Sequence, residues 1–229
     1  MSTVKPVDAA SLILVDDRGR TPKILMGKRH QDLKFMPSKF VFPGGRLDPS
    51  DRKASAFGAL DHQVEARLSL RVTRPSAARA RALALAALRE TFEETGILIG
   101  ETDLGAYSAP PESGWLPFEQ EAIWPSLDGL EFVARAITPP NHNRRYDTRF
   151  FLCRTDKIAK EIEGHAGPDK ELTELAWVTL EDAKKLDIPM ITGLILESLI
   201  EQLSAGLSPF RSIPLFHARQ GRHLCDMLQ

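Results

Sequence analysis

The segment Arg89-Glu90-Thr91-Phe92-Glu93-Glu94-Thr95-Gly96-Ile97 follows an almost uninterrupted apolar run, Ala82 to Leu88. An α-helix advances about 100° per residue, so Glu90, Glu93 and Glu94 project from one side and Leu85, Leu88 and Phe92 from the other. An acidic helix face is ordinarily a solvated one. A helix this apolar before its acids must be buried over most of its surface. Buried carboxylates with one arginine among them are costly unless a cation completes the charge balance. Hard oxygen donors favour Mg²⁺ or Mn²⁺. Arg89 stands one turn before Glu93 and is placed to orient it. Gly96 is the stop expected just past the helix end.

Upstream, Pro43-Gly44-Gly45 forms a turn whose backbone can approach a ligand closely. The turn and the acidic helix together resemble the Nudix hydrolase family, whose signature is G-x5-E-x7-R-E-U-x-E-E-x-G-U, with U aliphatic or small. Arg89, Glu90, Glu93, Glu94, Gly96 and Ile97 occupy fixed places, Thr91 serves as U, and Gly45 is the opening glycine. Two departures stand out. Asp51 occupies the first acidic position, and 37 residues, Arg52 to Leu88, replace the usual seven. The resemblance implies an α+β fold, the Nudix-type α/β/α sandwich with a mixed β-sheet. A helical cap, approximately residues 52–80, would be inserted within the motif.

The resemblance further implies that the Gly44 carbonyl, Glu93 and Glu94 hold Mg²⁺ or Mn²⁺, with Glu90 as ligand or base and Arg89 as organiser. A further acid from a loop, Glu171 or Glu174, would serve as base or ligand. The implied activity is hydrolysis of a nucleoside diphosphate linked to another moiety, X. The long insertion, the flanking text Phe35 to Asp48 and the segment Thr138 to Thr148 resemble the coenzyme A diphosphatase branch. Its products would be 3′,5′-ADP and 4′-phosphopantetheine. A non-hydrolytic Nudix-like sensor of nucleotides or sugars is the alternative, and the intact acid set argues against it. A diphosphate isomerase lacks a well-placed cysteine.

Cations near the glycine turn would serve phosphates: Arg29, with Lys28 beside it, Arg46, Arg144 and Arg145. His142 is a loop histidine that could touch a phosphate. Trp115, Phe118 and Trp124 fit core packing better than base stacking or a subunit interface. Balanced charges, 30 basic against 31 acidic, leave no footprint for nucleic acid. No run approaches a membrane span and the start lacks a signal-like core, so a cytoplasmic protein is expected. Two cysteines make no disulfide framework, and Cys153 reads as a buried thiol. Family analogy suggests a homodimer.

The chain reads as one domain over 1–229 with a C-terminal tail, 206–229. Strands are expected at Ala9–Val15, Lys23–Met26, Phe40–Phe42, Leu130–Ile137, Tyr146–Arg154 and Leu175–Thr179. Helices are expected at His62–Leu70, from Thr73 or Ser76 to Gly96, from Leu180, and at Ile191–Ser204. Ser108–Pro125 reads as an ordered loop, and the tail shows no clear pattern.

Overall fold

A computed structural model of the chain describes residues 4–140, 142–208 and 210–229; Asn141, within the Thr138–Thr148 segment, lies outside them. The strands are β1 (Val7–Asp16), β2 (Lys23–Arg29), β3 (Phe40–Val41), β4 (Gly44–Arg46), β5 (Ile97–Glu101), β6 (Trp124–Pro125), β7 (Glu131–Ile137), β8 (Tyr146–Arg154), β9 (Ile158–Glu161), β10 (Leu172–Thr179), β11 (Ile213–Arg219) and β12 (Arg222–Leu228). The helices are α1 (His62–Leu68), α2 (Ala77–Thr95), α3 (Leu116–Gln120), α4 (Leu180–Ala183) and α5 (Met190–Ser204). The larger sheet runs β10-β2-β1-β8-β7-β11-β12, with β3 on β2 and β4 on β1. Pairs β1–β8 and β7–β11 are parallel and the others antiparallel, which makes the sheet mixed. A smaller sheet runs β6-β5-β9.

Strand β1 shows why two helical layers form. Its near-continuous apolar run is buried on both faces, as a central strand requires. Ala10, Leu12 and Leu14 join one core with Leu85, Leu88 and Phe92 of α2. Ile13 and Val15 join the other with Ile195, Leu196 and Leu199 of α5. The result is the expected α/β/α sandwich. Among the described residues, no helix is long and apolar enough to cross a membrane.

Helix α2 starts where Ser76, of the two expected caps, accepts from the Arg79 backbone N–H at 3.2 Å. It ends at Gly96, whose φ of +77° is the left-handed closure that glycine adopts most readily. Asp8 at the head of β1 accepts from both Arg79 and Arg149, pinning the first turn of α2 to the sheet.

The insertion is helical and packs through Ala54, Leu60, Val64 and Leu68 into the α2 core. It covers α2, not the large cavity, since no residue between Pro49 and Arg89 lines that space. The Ser108–Pro125 segment is more ordered than a loop: it carries α3, and Trp115 and Phe118 are fully buried. That burial removes both aromatics from any interface. The tail forms the β11–β12 hairpin, turned at Gln220 and Gly221 with φ of +52° and +75°, the signs a type I′ hairpin turn demands.

Candidate active site

Strand β4 is laid against the carboxylate side of α2 by the Pro43 turn. Ser11 Oγ donates to the Pro43 carbonyl at 2.7 Å, and the Gly44 N–H donates to Glu94 Oε2 at 2.9 Å. A Cβ on Gly45 would overlap the Glu90 carboxyl group, and one on Gly44 would meet the Ala10 carbonyl and Ser11. Both glycines are there because helix and turn touch. Gly45→Ala is therefore expected to displace Glu90 and to lower kcat/KM by about a hundredfold, since a misplacement of roughly 1 Å suffices for that loss. Steady-state kinetics on the preferred substrate checks it.

Arg89 organises the acids from a buried position. Its guanidinium donates to Asp51 at 2.8 and 3.1 Å, to Glu90 at 2.9 Å, to Glu93 at 3.0 Å and to the Arg46 carbonyl at 2.9 Å. Burial disfavours its charge, but the bonds to Asp51 and the nearby carboxylates outweigh that and hold it firmly protonated. Asp51, fully buried, also accepts from Trp115 Nε1 at 3.1 Å and from the Asp48 N–H at 2.8 Å. Its short side chain reaches Arg89 because Asp48 caps a 3-10 turn, Pro49–Arg52, that carries Asp51 inward. Asp51 is thus committed to Arg89 and the loop.

Glu90 and Glu94 are undercompensated. Burial pushes the Glu90 carboxyl up to about 7, with Arg89 pulling down and Glu93 pushing further up. Burial drives Glu94 well above the usual carboxylate range; the Gly44 N–H opposes this, and Glu171 and Glu90 reinforce it. Glu93 is half-exposed, and Gly114 packs so tightly on it that a Cβ there would overlap its carboxylate.

Glu171 lines the cavity and pairs with Arg29 at 3.0 Å, whereas Glu174 is exposed on β10 and is not part of the wall. Of the two loop acids, the structure brings only Glu171 to the site. Arg29, Arg46 and Arg144 line the same cavity, as does His142. Arg145 does not: its guanidinium donates to the carbonyls of Thr138 and Val4 and ties the start of β8. Lys28 is absent from the wall and lies over the Phe40 ring at 5.9 Å.

Among the described residues, no three His, Cys, Asp or Glu side chains converge as a finished metal cage. The donor chemistry nevertheless fits a hard divalent cation. Glu94 is buried with a single N–H partner and, among the described residues, Asp51, Glu90 and Glu93 share the Arg89 guanidinium while Glu171 pairs with Arg29. Cys153 is buried and its thiol is pushed up to about 12 by that burial, so it is no nucleophile.

A stability signature follows from Glu90. A carboxyl whose folded pKa is raised holds a proton that the unfolded chain releases, so stability falls as pH rises from about 4.5 to about 7. In metal-free protein, Glu90→Gln should remove that loss. The melting-temperature difference between variant and parent should widen from pH 5 to pH 8, corresponding to on the order of 3 kcal/mol. A constant difference across that range would contradict the burial of Glu90.

The site residues not expected from the sequence are Ser11, Gly114 and Trp115. For Gly114 and Trp115 the only signal is their place within a Pro-rich stretch. The β11–β12 hairpin also adds Phe216, His223 and Cys225 to the wall of the cavity, which holds about 1070 Å³.

The mixed sheet between α2 and α5, with a glycine turn seated on an acidic helix, defines the Nudix fold. A crystal structure of a Nudix hydrolase from Alicyclobacillus acidocaldarius matches it with a TM-score of 0.64 at 24% identity, covering 87% of this chain and 93% of that one. No family model matches the chain. A Caenorhabditis elegans protein provisionally named nudix hydrolase 7 is 31% identical over 157 residues, covering 65% of this chain and 44% of that protein. The acyl-coenzyme A diphosphatase NUDT19 of Xenopus laevis is 27% identical over 219 residues, covering 73% and 57% respectively. The chain shares the Nudix fold and is similar in sequence to Nudix hydrolases. It spans about half the length of the curated relatives it matches.

Proposed function

We propose that the chain hydrolyses the diphosphate linkage of a nucleoside diphosphate joined to another moiety, X, with coenzyme A or an acyl-coenzyme A as the preferred class. The observation that carries this reading is the position of Glu90 and Arg89, with the Gly44-Gly45 turn, in the wall of a cavity that also holds three arginines and a broad apolar surface. The similarity to an acyl-coenzyme A diphosphatase supports the choice of X. Glu90, Glu93, Glu94 and the Gly44 carbonyl would hold Mg²⁺ or Mn²⁺. Such an ion, when bound, offsets the charge of the phosphate oxygens and lowers the pKa of water.

The protein's own groups supply the remainder. Arg29, Arg46 and Arg144 receive the phosphates. Arg89 keeps Glu90 and Glu93 in one orientation through the bonds described above. Glu171, which lines the same cavity, or Glu90 where it is not a ligand, takes the proton of the attacking water. Asp51 takes no part in chemistry and holds Arg89.

The test is turnover of a panel of dinucleotides, nucleotide sugars, coenzyme A and its esters with Mg²⁺ or Mn²⁺. Highest kcat/KM is expected for the coenzyme A group. Preference for a dinucleotide or a nucleotide sugar would overturn the choice of X, and no turnover on any compound would overturn the hydrolase reading.

A further inference from the structure

The strand registers align six cavity-lining residues into one cross-strand row. Arg46 on β4 pairs with Ala9 on β1, Ala9 with Thr148 on β8, and Thr148 with Ala136 on β7. Ala136 pairs with Phe216 on β11, and Phe216 with Cys225 on β12. All six border the same cavity. At about 4.8 Å per strand, the row reaches roughly 24 Å from the glycine turn to the C-terminal hairpin.

Side chains of directly opposed residues stand on one face of the sheet. Leu215 and Ile213 of β11 belong to the α2 core, so Phe216 stands on the opposite face, toward α5 and the cavity. Between Arg46 and Phe216 the row carries only Ala9, Thr148 and Ala136. The floor is therefore low until it meets an aromatic ring. Chemistry changes along the same line. Arg29, Arg46 and Arg144 surround the end near Glu90, while Met190 and Ile191 from the first turn of α5 give the groove an apolar wall. Met190 is 63% exposed, an apolar side chain left open beside the groove.

We infer that Phe216 narrows this groove before the wall of β12 and sets how long an apolar arm the X moiety can carry. This rests on the hydrolase reading above for the orientation of the substrate, with its phosphates at the arginines. Shortening the ring deepens the groove, and enlarging it closes the groove earlier. The two changes must move selectivity in opposite directions, which general damage to the fold cannot do.

The experiment measures kcat/KM and ligand-induced thermal stabilisation for acyl-coenzyme A esters from acetyl to stearoyl, in the parent, Phe216→Ala and Phe216→Trp. Relative to the parent, the long-to-short ratio should rise about tenfold or more in Phe216→Ala and fall similarly in Phe216→Trp, the scale of a few methylenes in an apolar pocket. Turnover with all three profiles superimposed would overturn the role of Phe216 and leave the hydrolase reading standing. Oppositely shifted stabilisation profiles without any turnover would support the groove and overturn the hydrolase reading instead.

Discussion

Replacing Glu94 by glutamine is expected to lower kcat by about a thousandfold while leaving the metal-free fold at least as stable as the parent. The first effect is the loss of a charged oxygen donor from the proposed metal site, where several kcal/mol of charge stabilisation are at stake. The second follows from burial. Glu94 is 5% exposed and its carboxyl strongly favours the neutral form, because the interior penalises its charge and Glu171 and Glu90 add repulsion. Glutamine is neutral, keeps nearly the same shape and can still accept from the Gly44 N–H. Activity and stability should therefore move apart. Stopped or continuous assays with Mg²⁺, together with melting curves in chelator, read the two separately. An active Glu94→Gln enzyme would remove Glu94 from the metal site, and a collapse in melting temperature would mean that the charge supports the fold.

Asp51→Ala should behave in the opposite way, as a stability defect first. The substitution strips two bonds from a buried guanidinium and leaves the Trp115 indole N–H and the Asp48 N–H without their acceptor. Breaking one side of a buried ion pair costs about 3–5 kcal/mol. For a chain of this size that is a fall of about 10 °C or more in melting temperature. Activity should also fall, because Arg89 loses the partner that fixes it while it holds Glu90 and Glu93. Differential scanning calorimetry of the variant checks the first expectation. A shift of only a degree or two would show that Arg89 does not depend on Asp51.

The helix that carries the acids was legible because its signals are local. The apolar run Ala82 to Leu88, the cap at Ser76 and the stop at Gly96 all lie within the element they define. The glycine turn was legible as a partner through the family signature, and the contact of Gly45 with Glu90 gives that pattern its physical reason. The role of Asp51 was not, because it depends on a bond to Trp115, 64 residues away. The choice between Glu171 and Glu174 was equally closed to sequence. Glu171 immediately precedes β10 and Glu174 lies within it, where Leu172 pairs with Arg29 and Glu174 with Lys28, so the pairing leaves Glu171 to reach Arg29.

The C-terminal hairpin escaped for two reasons. Pro214 lies inside β11, and proline is unusual within a strand. Strand β12, Arg222 to Leu228, mixes charged, polar and apolar residues without an apolar face strong enough to read. The two strands are specified by pairing with each other and by the pairing of β11 with β7, which is tertiary information. The insertion was recognised by length, but its packing against α2 follows from Val64 and Leu68, spaced one helical turn apart, which give α1 an apolar side facing that core.

The most direct test of hydrolysis at the diphosphate bridge is mass analysis of the products formed from coenzyme A in heavy-oxygen water with Mg²⁺ or Mn²⁺. The expected products are 3′,5′-ADP and 4′-phosphopantetheine, with one heavy oxygen on the phosphate of one product and none on the other. Unchanged coenzyme A, or products cleaved anywhere but at the diphosphate bridge, would contradict it.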